Sequence, residues 1–188
     1  MTTPVILVTP QDEVMGQIGK LAAHQQGLLH RAFSVLLYRE QTGQIEVLLQ
    51  QRHAKKYHTG GLWTNTCCSH PRPDEDTAIA ARRRLMEETG IDTPLTAIGQ
   101  FRYYASFANG LVEHELDHVF IGQWDELPTA FDPEEIEAMK WTSLKSLQKD
   151  LEDHPYRYTP WLSQVLKVVS SSKHVVQLNN LFACKNLT

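Results

Sequence analysis

The stretch from Ser69 to Ile91, SHPRPDEDTAIAARRRLMEETGI, decides the fold. It follows the pattern Ser69-x5-Glu75-x7-Arg83-Arg84-Leu85-x-Glu87-Glu88-x-Gly90-Ile91. Asp76 or Thr77 is suited to begin a helix and Gly90 to end it, so the pattern predicts a loop, a helix and a second loop. Carboxylates such as Glu87 and Glu88 suit Mg²⁺, which bridges to phosphates, and an arginine fork matches phosphate oxygens. The stretch therefore predicts a metal and phosphate site on a helix.

The complete spacing resembles the Nudix box, in which a glycine, a spaced glutamate and an Arg-Glu/Glu-Glu cluster surround diphosphate and Mg²⁺. Two positions depart from that box: Ser69 replaces the opening glycine, and Arg84 replaces a glutamate of the cluster. A hydrolase needs its carboxylates to hold metals and to activate water. The arginine therefore indicates that diphosphate is gripped at this site and not cut.

Helical spacing predicts that Ala78, Ala81 and Leu85 form the core stripe of this helix. Arg84 and Glu88 should stand beside each other on the adjoining face. Any isolated piece of the stretch also fits an ordinary surface helix with Glu–Arg pairs, so the prediction rests on the complete spacing.

The remaining sequence predicts strands on both sides of this helix, followed by further helices. The predicted strands are Val5–Thr9, Arg31–Tyr38, Ile45–Gln51, Leu95–Phe107 and Leu111–Trp124, with turns at 41–43 and 108–110. The later helices are predicted at Glu134–Met139, at Ser143–Leu151, and from Thr159-Pro160 to Val169. This order favours an α/β (α+β) fold, with a mixed β-sheet sandwiched between helices. We expect residues 1–188 to form one Nudix-like domain, with its core at about 30–165 and additions at both termini; residues 170–188 have no assigned role.

Composition limits the classes of function. The 188 residues, 41% hydrophobic and 21% charged, fit one globular domain. The net charge of −4 does not support nucleic-acid binding or an anionic membrane surface. No apolar run approaches the roughly 20 residues that span a bilayer, and the first residues lack the basic segment of a signal peptide. Three cysteines make a poor disulfide framework. We expect a reduced, cytoplasmic protein that is a monomer or a weak homodimer.

Two short patterns could carry chemistry. Cys68 and His70 flank Ser69 on a loop rich in glycine and proline. A nearby cation lowers the pKa of a thiol, so Cys68 is a candidate acid, base or nucleophile, and His70 is a candidate metal ligand. Glu113 and Glu115 share one face of a predicted strand, with Asp117 farther along. They either direct two carboxylates into one site or belong to a solvated sheet face.

Other candidates depend on the fold to bring them to this site. His24 and His30 are spaced too widely for one helical face, so they can meet His70 only if the intervening loop folds back. The nearby basic residues, each by default a solvated charge, are Lys20, Arg52 and Lys56. Trp161 is either an aromatic wall of a site or ordinary core packing.

Taken together, these residues resemble type 1 isopentenyl diphosphate isomerase, an offshoot of the Nudix superfamily. The resemblance extends from about Lys20 to about Trp161. Its most specific motifs are Leu29-His30-Arg31-Ala32-Phe33-Ser34, Trp63-Thr64-Asn65-Thr66-Cys67-Cys68-Ser69-His70-Pro71 and Glu113-His114-Glu115. It implies a Nudix-type fold and an isomerase of isoprenoid biosynthesis, which interconverts isopentenyl and dimethylallyl diphosphate.

The resemblance also implies roles for individual residues. A His3Glu2 site for Mn²⁺, Mg²⁺ or Zn²⁺ would consist of His24, His30, His70, Glu113 and Glu115. Glu88 and the carbonyl group of Cys68 would place a Mg²⁺ on the substrate diphosphate, which would be gripped by Lys20, Arg52, Lys56 and Arg84. The catalytic group would comprise Cys68, Glu115, its hydrogen-bonding partner Tyr103, and Trp161.

The implied reaction protonates an alkene at C4 and removes a proton from C2, through a tertiary carbocation. We expect Glu115, with Tyr103, to supply the first proton and the thiolate of Cys68 to take the second. The identity of the metal and the division of acid and base roles between these groups stay open at this point. A Nudix hydrolase of a diphosphate is the first alternative, against which Arg84 argues. A non-enzymatic metal-binding or interaction module is the second.

Overall fold

The computed structural model describes residues 3–56 and 58–172. Its strands are β1 (Pro4–Val8), β2 (Val14–Gly19), β3 (His30–Gln41), β4 (Gln44–Arg52), β5 (Trp63–Thr64), β6 (Cys67–Ser69), β7 (Thr96–Ser106), β8 (Val112–Gln123) and β9 (Ile136–Ser143). Its helices are α1 (Lys20–Gln26), α2 (Thr77–Thr89), α3 (Leu144–Asp153) and α4 (Leu162–Ser171), with a 3-10 turn at Pro155–Arg157. The expected C-terminal addition beyond Ser172 lies outside the described residues.

The sheet is mixed, as predicted. β3 lies parallel to β8 along most of its length and antiparallel to β4, with which it forms a hairpin. The two residues of that hairpin turn, Thr42 and Gly43, have φ of 49° and 72°, as a type I′ turn requires. β7 and β8 form a second antiparallel pair, and β9 adds to β4. The register of β3 and β8 places His30 directly opposite Glu115.

Helices cover both faces of this sheet, which confirms the predicted layers. Alternate residues of β3 point to opposite faces. Phe33 and Val35 pack in one core with Leu85 of α2, whereas Leu36 packs in a second core with Leu162 and its neighbours on α4. No described helix is both long enough and apolar enough to cross a membrane.

The helix of the box has the predicted ends. The side chain of Asp76 accepts hydrogen bonds from the backbone N–H groups of Ala78 and Ile79, and Gly90 ends the helix at φ 71°. The predicted core stripe is partly wrong, since Ala78 is exposed and Ala80 is buried in its place. The helix is rotated so that Glu88 also lies on the buried face.

Several other elements differ from the sequence prediction, which includes neither α1 nor β6. The helix predicted at Glu134–Met139 is wrong, because Ile136–Ser143 forms β9 and pairs with β4; tertiary pairing here outweighs the helical propensity of Glu, Ala and Met. The helix predicted to open at Thr159-Pro160 begins at Leu162, because the hydroxyl of Thr159 contacts that of Thr64 at 2.8 Å and caps no helix. β2 was not predicted, since its residues are mostly exposed and lack apolar alternation.

Candidate active site

One cavity gathers most of the candidate residues. It is lined by Lys20, Phe33, Arg52, His58, Cys68, Ser69, His70, Tyr103, Glu113, Glu115, Asp117 and Trp161. These residues come from β3, β4, β6, β7 and β8, from the start of α1, from the loop between β4 and β5, and from the residues that follow β6 and precede α4. The folding of the chain therefore unites patterns that lie far apart in the sequence.

The centre of the site is a group of histidines and glutamates. The ligand atoms of His24, His30, His70 and Glu115 all lie within 4.8 Å of one another. His70 follows β6, and its Nε2 lies 2.8 Å from Oε1 of Glu115. Glu113 lies next to this group, since its Oε1 is 3.4 Å from Nε2 of His24. All five predicted ligands are thus brought together.

Backbone carbonyl groups fix the orientation of two imidazole rings. Nδ1 of His24 lies 2.7 Å from the carbonyl oxygen of Lys20, and Nδ1 of His30 lies 2.8 Å from that of Leu28. Since a carbonyl oxygen can only accept, each Nδ1 is the donor. In the neutral form of each ring, Nε2 therefore presents a lone pair to the group, which is the orientation that a metal-binding histidine usually has.

These residues fit a divalent cation. Nε2 of His30 is buried, lies 3.5 Å from Oε1 of Glu115, and has no hydrogen-bond partner among the described residues. A buried lone pair without a donor is costly unless a cation meets it. Imidazole nitrogen with carboxylate oxygen suits ions such as Zn²⁺ and Mn²⁺. The structure therefore holds a His/Glu group that could bind a metal.

The pKa values of Glu113 and Glu115 are both lowered although both side chains are buried. Burial by itself would raise the pKa of Glu115, but its contacts with His30, Glu113 and Tyr103 outweigh burial and hold the pKa well below its usual range. The hydroxyl of Tyr103 donates to Oε2 of Glu115 at 2.7 Å, and burial raises the pKa of Tyr103. Hence Tyr103 keeps its proton beside a carboxylate.

Cys68 lies on the cavity side of β6, and Cys67 faces the core beside α2, as the alternation of a strand predicts. Nη1 of Arg52 lies 3.9 Å from Sγ of Cys68. Burial nevertheless raises the pKa of Cys68 to about 12, against the lowering effect of Arg52. Arg52 lowers the pKa of this thiol, as expected of a neighbouring cation, but loss of solvation is the larger effect and the net shift is upward.

The four predicted diphosphate-binding cations are divided between two places. Lys20 and Arg52 line the cavity. Lys56 and Arg84 lie in a neighbouring ion-pair cluster, where Lys56 pairs with Glu135, and Arg84 pairs with Glu87, Glu88 and, at 3.6 Å, Glu135. Burial by itself would raise the pKa of Glu135, but Lys56, Arg84 and, from the cavity, the charge of Lys20 together lower it.

Trp161 forms an aromatic wall and is only 3% exposed. Its Nε1 donates to Oδ1 of Asn65 at 3.2 Å, and Asn65 in turn donates to the carbonyl oxygen of Cys67 at 2.7 Å. The ring centroids of Trp161 and Tyr103 are 6.0 Å apart. One amide thus ties the indole ring to the strand that carries Cys68.

Sequence reasoning missed two residues of this region. His58 lines the cavity, and its Nε2 lies 2.7 Å from Oε1 of Glu113. Glu135 lies just before β9, in a segment predicted as a helix. Neither belongs to a recognisable spacing pattern. The nine histidines of the chain, somewhat many for its length, were the only signal in the sequence that pointed toward His58.

Comparison with known proteins places this geometry in a family. The model of the NUDIX domain matches residues 28–162. "Isopentenyl-diphosphate Delta-isomerase 2" of Aromatoleum aromaticum is 47% identical over 173 residues, which cover 92% of this chain and 89% of the relative. "Isopentenyl-diphosphate Delta-isomerase" of Photobacterium profundum is 49% identical over 167 residues, covering 88% of this chain and 93% of the relative.

Solved structures support the fold alone. DR0079 from Deinococcus radiodurans superposes with a TM-score of 0.70 at 19% identity, covering 87% of this chain and 97% of that one. A MutT protein from Methanosarcina mazei superposes with a TM-score of 0.57 at 20% identity, and the match covers 74% of this chain and 91% of the MutT chain. The NUDIX match and the long alignments with curated relatives show that the chain belongs to the isopentenyl-diphosphate Delta-isomerase family of NUDIX-domain proteins.

Proposed function

We propose that this protein interconverts isopentenyl diphosphate and dimethylallyl diphosphate by proton transfer through a tertiary carbocation. The observation that supports this reaction is the shared cavity of Cys68, Tyr103, Glu115 and Trp161. It offers two proton-transferring groups and an aromatic face in one buried space. Isomerisation requires these features, whereas diphosphate hydrolysis does not.

The proposed metal site consists of His24, His30, His70, Glu113 and Glu115, and would hold Mn²⁺, Mg²⁺ or Zn²⁺. When bound, the ion would supply positive charge that offsets the two buried carboxylates. The residues themselves fix the position of Glu115, since His70 contacts its Oε1 and Tyr103 donates to its Oε2. The carboxylate is thereby held on the wall of the cavity.

The diphosphate end of the substrate is proposed to lie at the cavity mouth, next to the ion-pair cluster. Lys20 and Arg52 would contact it from the cavity, and Lys56 and Arg84 would turn to it from the cluster. Glu88 and the carbonyl oxygen of Cys68 would hold a Mg²⁺ on the diphosphate. Arg84, in place of a carboxylate, serves here as a clamp and not as a ligand for a hydrolytic metal.

The hydrocarbon end is proposed to receive one proton and to lose another. The Glu115–Tyr103 pair delivers a proton to C4, which leaves a cation at C3, and the thiolate of Cys68 then takes a proton from C2. Burial raises the pKa of Cys68, so this thiol is protonated before the reaction. We propose that its proton passes to the Glu115–Tyr103 pair, which leaves the thiolate that later takes the proton from C2.

The carbocation needs an environment that stabilises it and excludes water. The buried indole ring of Trp161 presents a π face, which contributes roughly 2 kcal/mol when the cation is desolvated. Water in the cavity would trap the cation as an alcohol, so a closed site is required. We also infer a reducing, cytoplasmic setting and no nucleic-acid partner, since the mechanism uses the free thiol of Cys68.

Deuterium incorporation in D₂O tests this proposal. The wild-type protein should convert isopentenyl diphosphate into dimethylallyl diphosphate that carries deuterium in the methyl group formed from C4. The Cys68→Ala and Glu115→Gln variants should each lose about 10²–10⁴-fold in rate. Rapid release of inorganic phosphate by the wild type, without isomerisation, would instead identify a hydrolase.

A further inference from the structure

His58 lies beside the proposed metal site but outside the predicted set of ligands. It belongs to the loop between β4 and β5 and is 7% exposed. Its Nε2 lies 2.7 Å from Oε1 of Glu113, closer than the 3.4 Å that separates Nε2 of His24 from the same oxygen. His58 therefore makes a closer contact with the Glu113 carboxylate than His24 does.

The ring of His58 is held from three sides. It stacks on Phe107 with centroids 4.8 Å apart and ring planes 7° apart, and its edge faces Trp161 at 6.3 Å. Its Nδ1 lies 3.0 Å from Oγ1 of Thr59. The hydroxyl group of Thr59 can donate to Nδ1, which leaves Nε2–H to donate to Glu113.

The backbone next to His58 is also constrained. Thr59 has φ of 50°, in the left-handed region that a β-branched residue rarely adopts. Such a conformation persists only where the surrounding contacts enforce it. The backbone that directly follows His58 is therefore fixed by its surroundings.

This contact determines how Glu113 faces the metal group. Oε1 of Glu113 is engaged by His58 and approached by His24, and its Oε2 lies 3.3 Å from the hydroxyl group of Tyr103. The four ligand atoms that lie together come from His24, His30, His70 and Glu115, whereas Glu113 groups with His24 and His58. Without His58, the carboxylate of Glu113 would have one buried contact fewer to fix its rotation.

We propose that His58 is a positioning residue, whose Nε2–H donates to Glu113 and orients that carboxylate toward the metal shared with His24. This inference rests on the proposed function for the role of Glu113 as a metal ligand. Hydrogen-bonded partners of ligating groups typically change metal affinity by about 10–100-fold when they are removed. His58 would act on metal affinity in this way without contacting the ion.

Metal affinity of the full chain, measured without substrate, provides the test. Mn²⁺ is titrated into wild type, His58→Ala and His58→Gln, and free Mn²⁺ is measured by electron paramagnetic resonance. His58→Ala should bind Mn²⁺ about 10–100-fold more weakly. His58→Gln should recover most of that affinity, because the amide group can still donate a hydrogen bond. His118→Ala is the matched control, since His118 pairs with Asp12 outside the group and should leave affinity unchanged.

The possible results separate this inference from the proposed function. If His58→Ala binds Mn²⁺ as tightly as wild type, the positioning role of His58 is overturned. An equal loss of Mn²⁺ affinity in His58→Ala and His58→Gln would also overturn it, because that is the result expected of a direct ligand. Circular dichroism and the melting temperature of the metal-free variants show whether each one folds. If wild type binds Mn²⁺ and His58→Ala binds it more weakly, but wild type does not isomerise isopentenyl diphosphate, the inference about His58 stands and the proposed function fails.

Discussion

Arg84 forms an ion pair with Glu88 one turn further along α2, and the same guanidinium lies 3.6 Å from the carboxylate of Glu135. Lys56 pairs with Glu135 as well. The two cations that are proposed to clamp diphosphate therefore already have carboxylate partners. A bound diphosphate has to replace these contacts, and Glu135 lies at the point where the two competing ion pairs meet.

Glu135→Gln should strengthen the binding of inorganic pyrophosphate. The substitution removes a negative charge that competes for Lys56 and Arg84, and partly exposed pairs of this kind are worth up to about 1 kcal/mol, or roughly twofold to fivefold in Kd. Isothermal titration calorimetry with pyrophosphate and Mg²⁺ measures the change. Glu134→Gln, an exposed neighbour with the same change in charge, is the control. Unchanged or weaker binding in Glu135→Gln would contradict the competition.

Tyr103→Phe should slow turnover while leaving substrate binding intact. The substitution removes the 2.7 Å hydrogen bond to Glu115 and retains the ring that packs near Trp161. A hydrogen bond to a charged group is worth about 1.5–3 kcal/mol, so kcat should fall roughly tenfold to 150-fold with KM unchanged. Steady-state kinetics measure both constants. A rise in KM at constant kcat would show instead that Tyr103 serves binding.

Trp161→Leu should lower kcat because the carbocation loses its aromatic face. A contribution of roughly 2 kcal/mol to the transition state corresponds to about thirtyfold in rate. Trp63→Leu is the matched control, since Trp63 contacts Lys140, whose Nζ lies 3.9 Å from the ring centroid, and does not line the cavity. Both substitutions should destabilise the fold. Only Trp161→Leu should lower kcat by more than the loss of folded protein explains. Equal kcat values in the two variants would count against a π contact with the cation.

Local signals were sufficient to predict much of the fold. Asp76 and Gly90 fix both ends of α2 through a side-chain cap and a left-handed glycine, and each of these depends only on neighbouring residues. The hairpin between β3 and β4 likewise follows from Thr42 and Gly43. β9 was missed because its pairing with β4 is a long-range contact that outweighs local propensity.

The site could be predicted only through the family's motifs. His24 and His30 meet because α1 packs against β8 while β3 lies parallel to that strand, and no spacing rule expresses this geometry. The net direction of the Cys68 pKa shift could not be predicted, because sequence shows the nearby cation, Arg52, but not the degree of burial. His58 and Glu135 act through contacts across loops, which leave no periodic signal.

The ion pair between Glu75 and Arg83 should make stability depend on pH. Hydrogen bonds from Arg83 lower the pKa of Glu75 in the folded protein. A carboxylate whose pKa is lower in the folded than in the unfolded chain stabilises the fold at pH values above its unfolded-state pKa of about 4.3. This stabilisation is lost as the pH falls through the folded-state pKa. Glu75→Gln should therefore reduce the free energy of unfolding at pH 7 by up to about 1 kcal/mol, and by less at pH 3.5. Urea denaturation at both pH values measures this difference, and an equal deficit at both would exclude the ionised pair as its cause. Glu137→Gln, at an exposed glutamate, is the control.

Loading the His/Glu group with metal should stabilise the fold. A ligand that binds only the folded state at 100 times its Kd adds about 2.7 kcal/mol, which corresponds to a rise in Tm of roughly 5–10 °C for a chain of this size. Calorimetry of chelator-treated protein, before and after addition of Mn²⁺, measures the shift. His30→Ala removes a nitrogen that lies 3.5 Å from Glu115 and should abolish the rise, whereas His118→Ala, which alters a half-buried histidine on β8, should retain it. A rise that persists in His30→Ala would place the stabilising ion elsewhere, because binding at this group depends on the lone pair of His30.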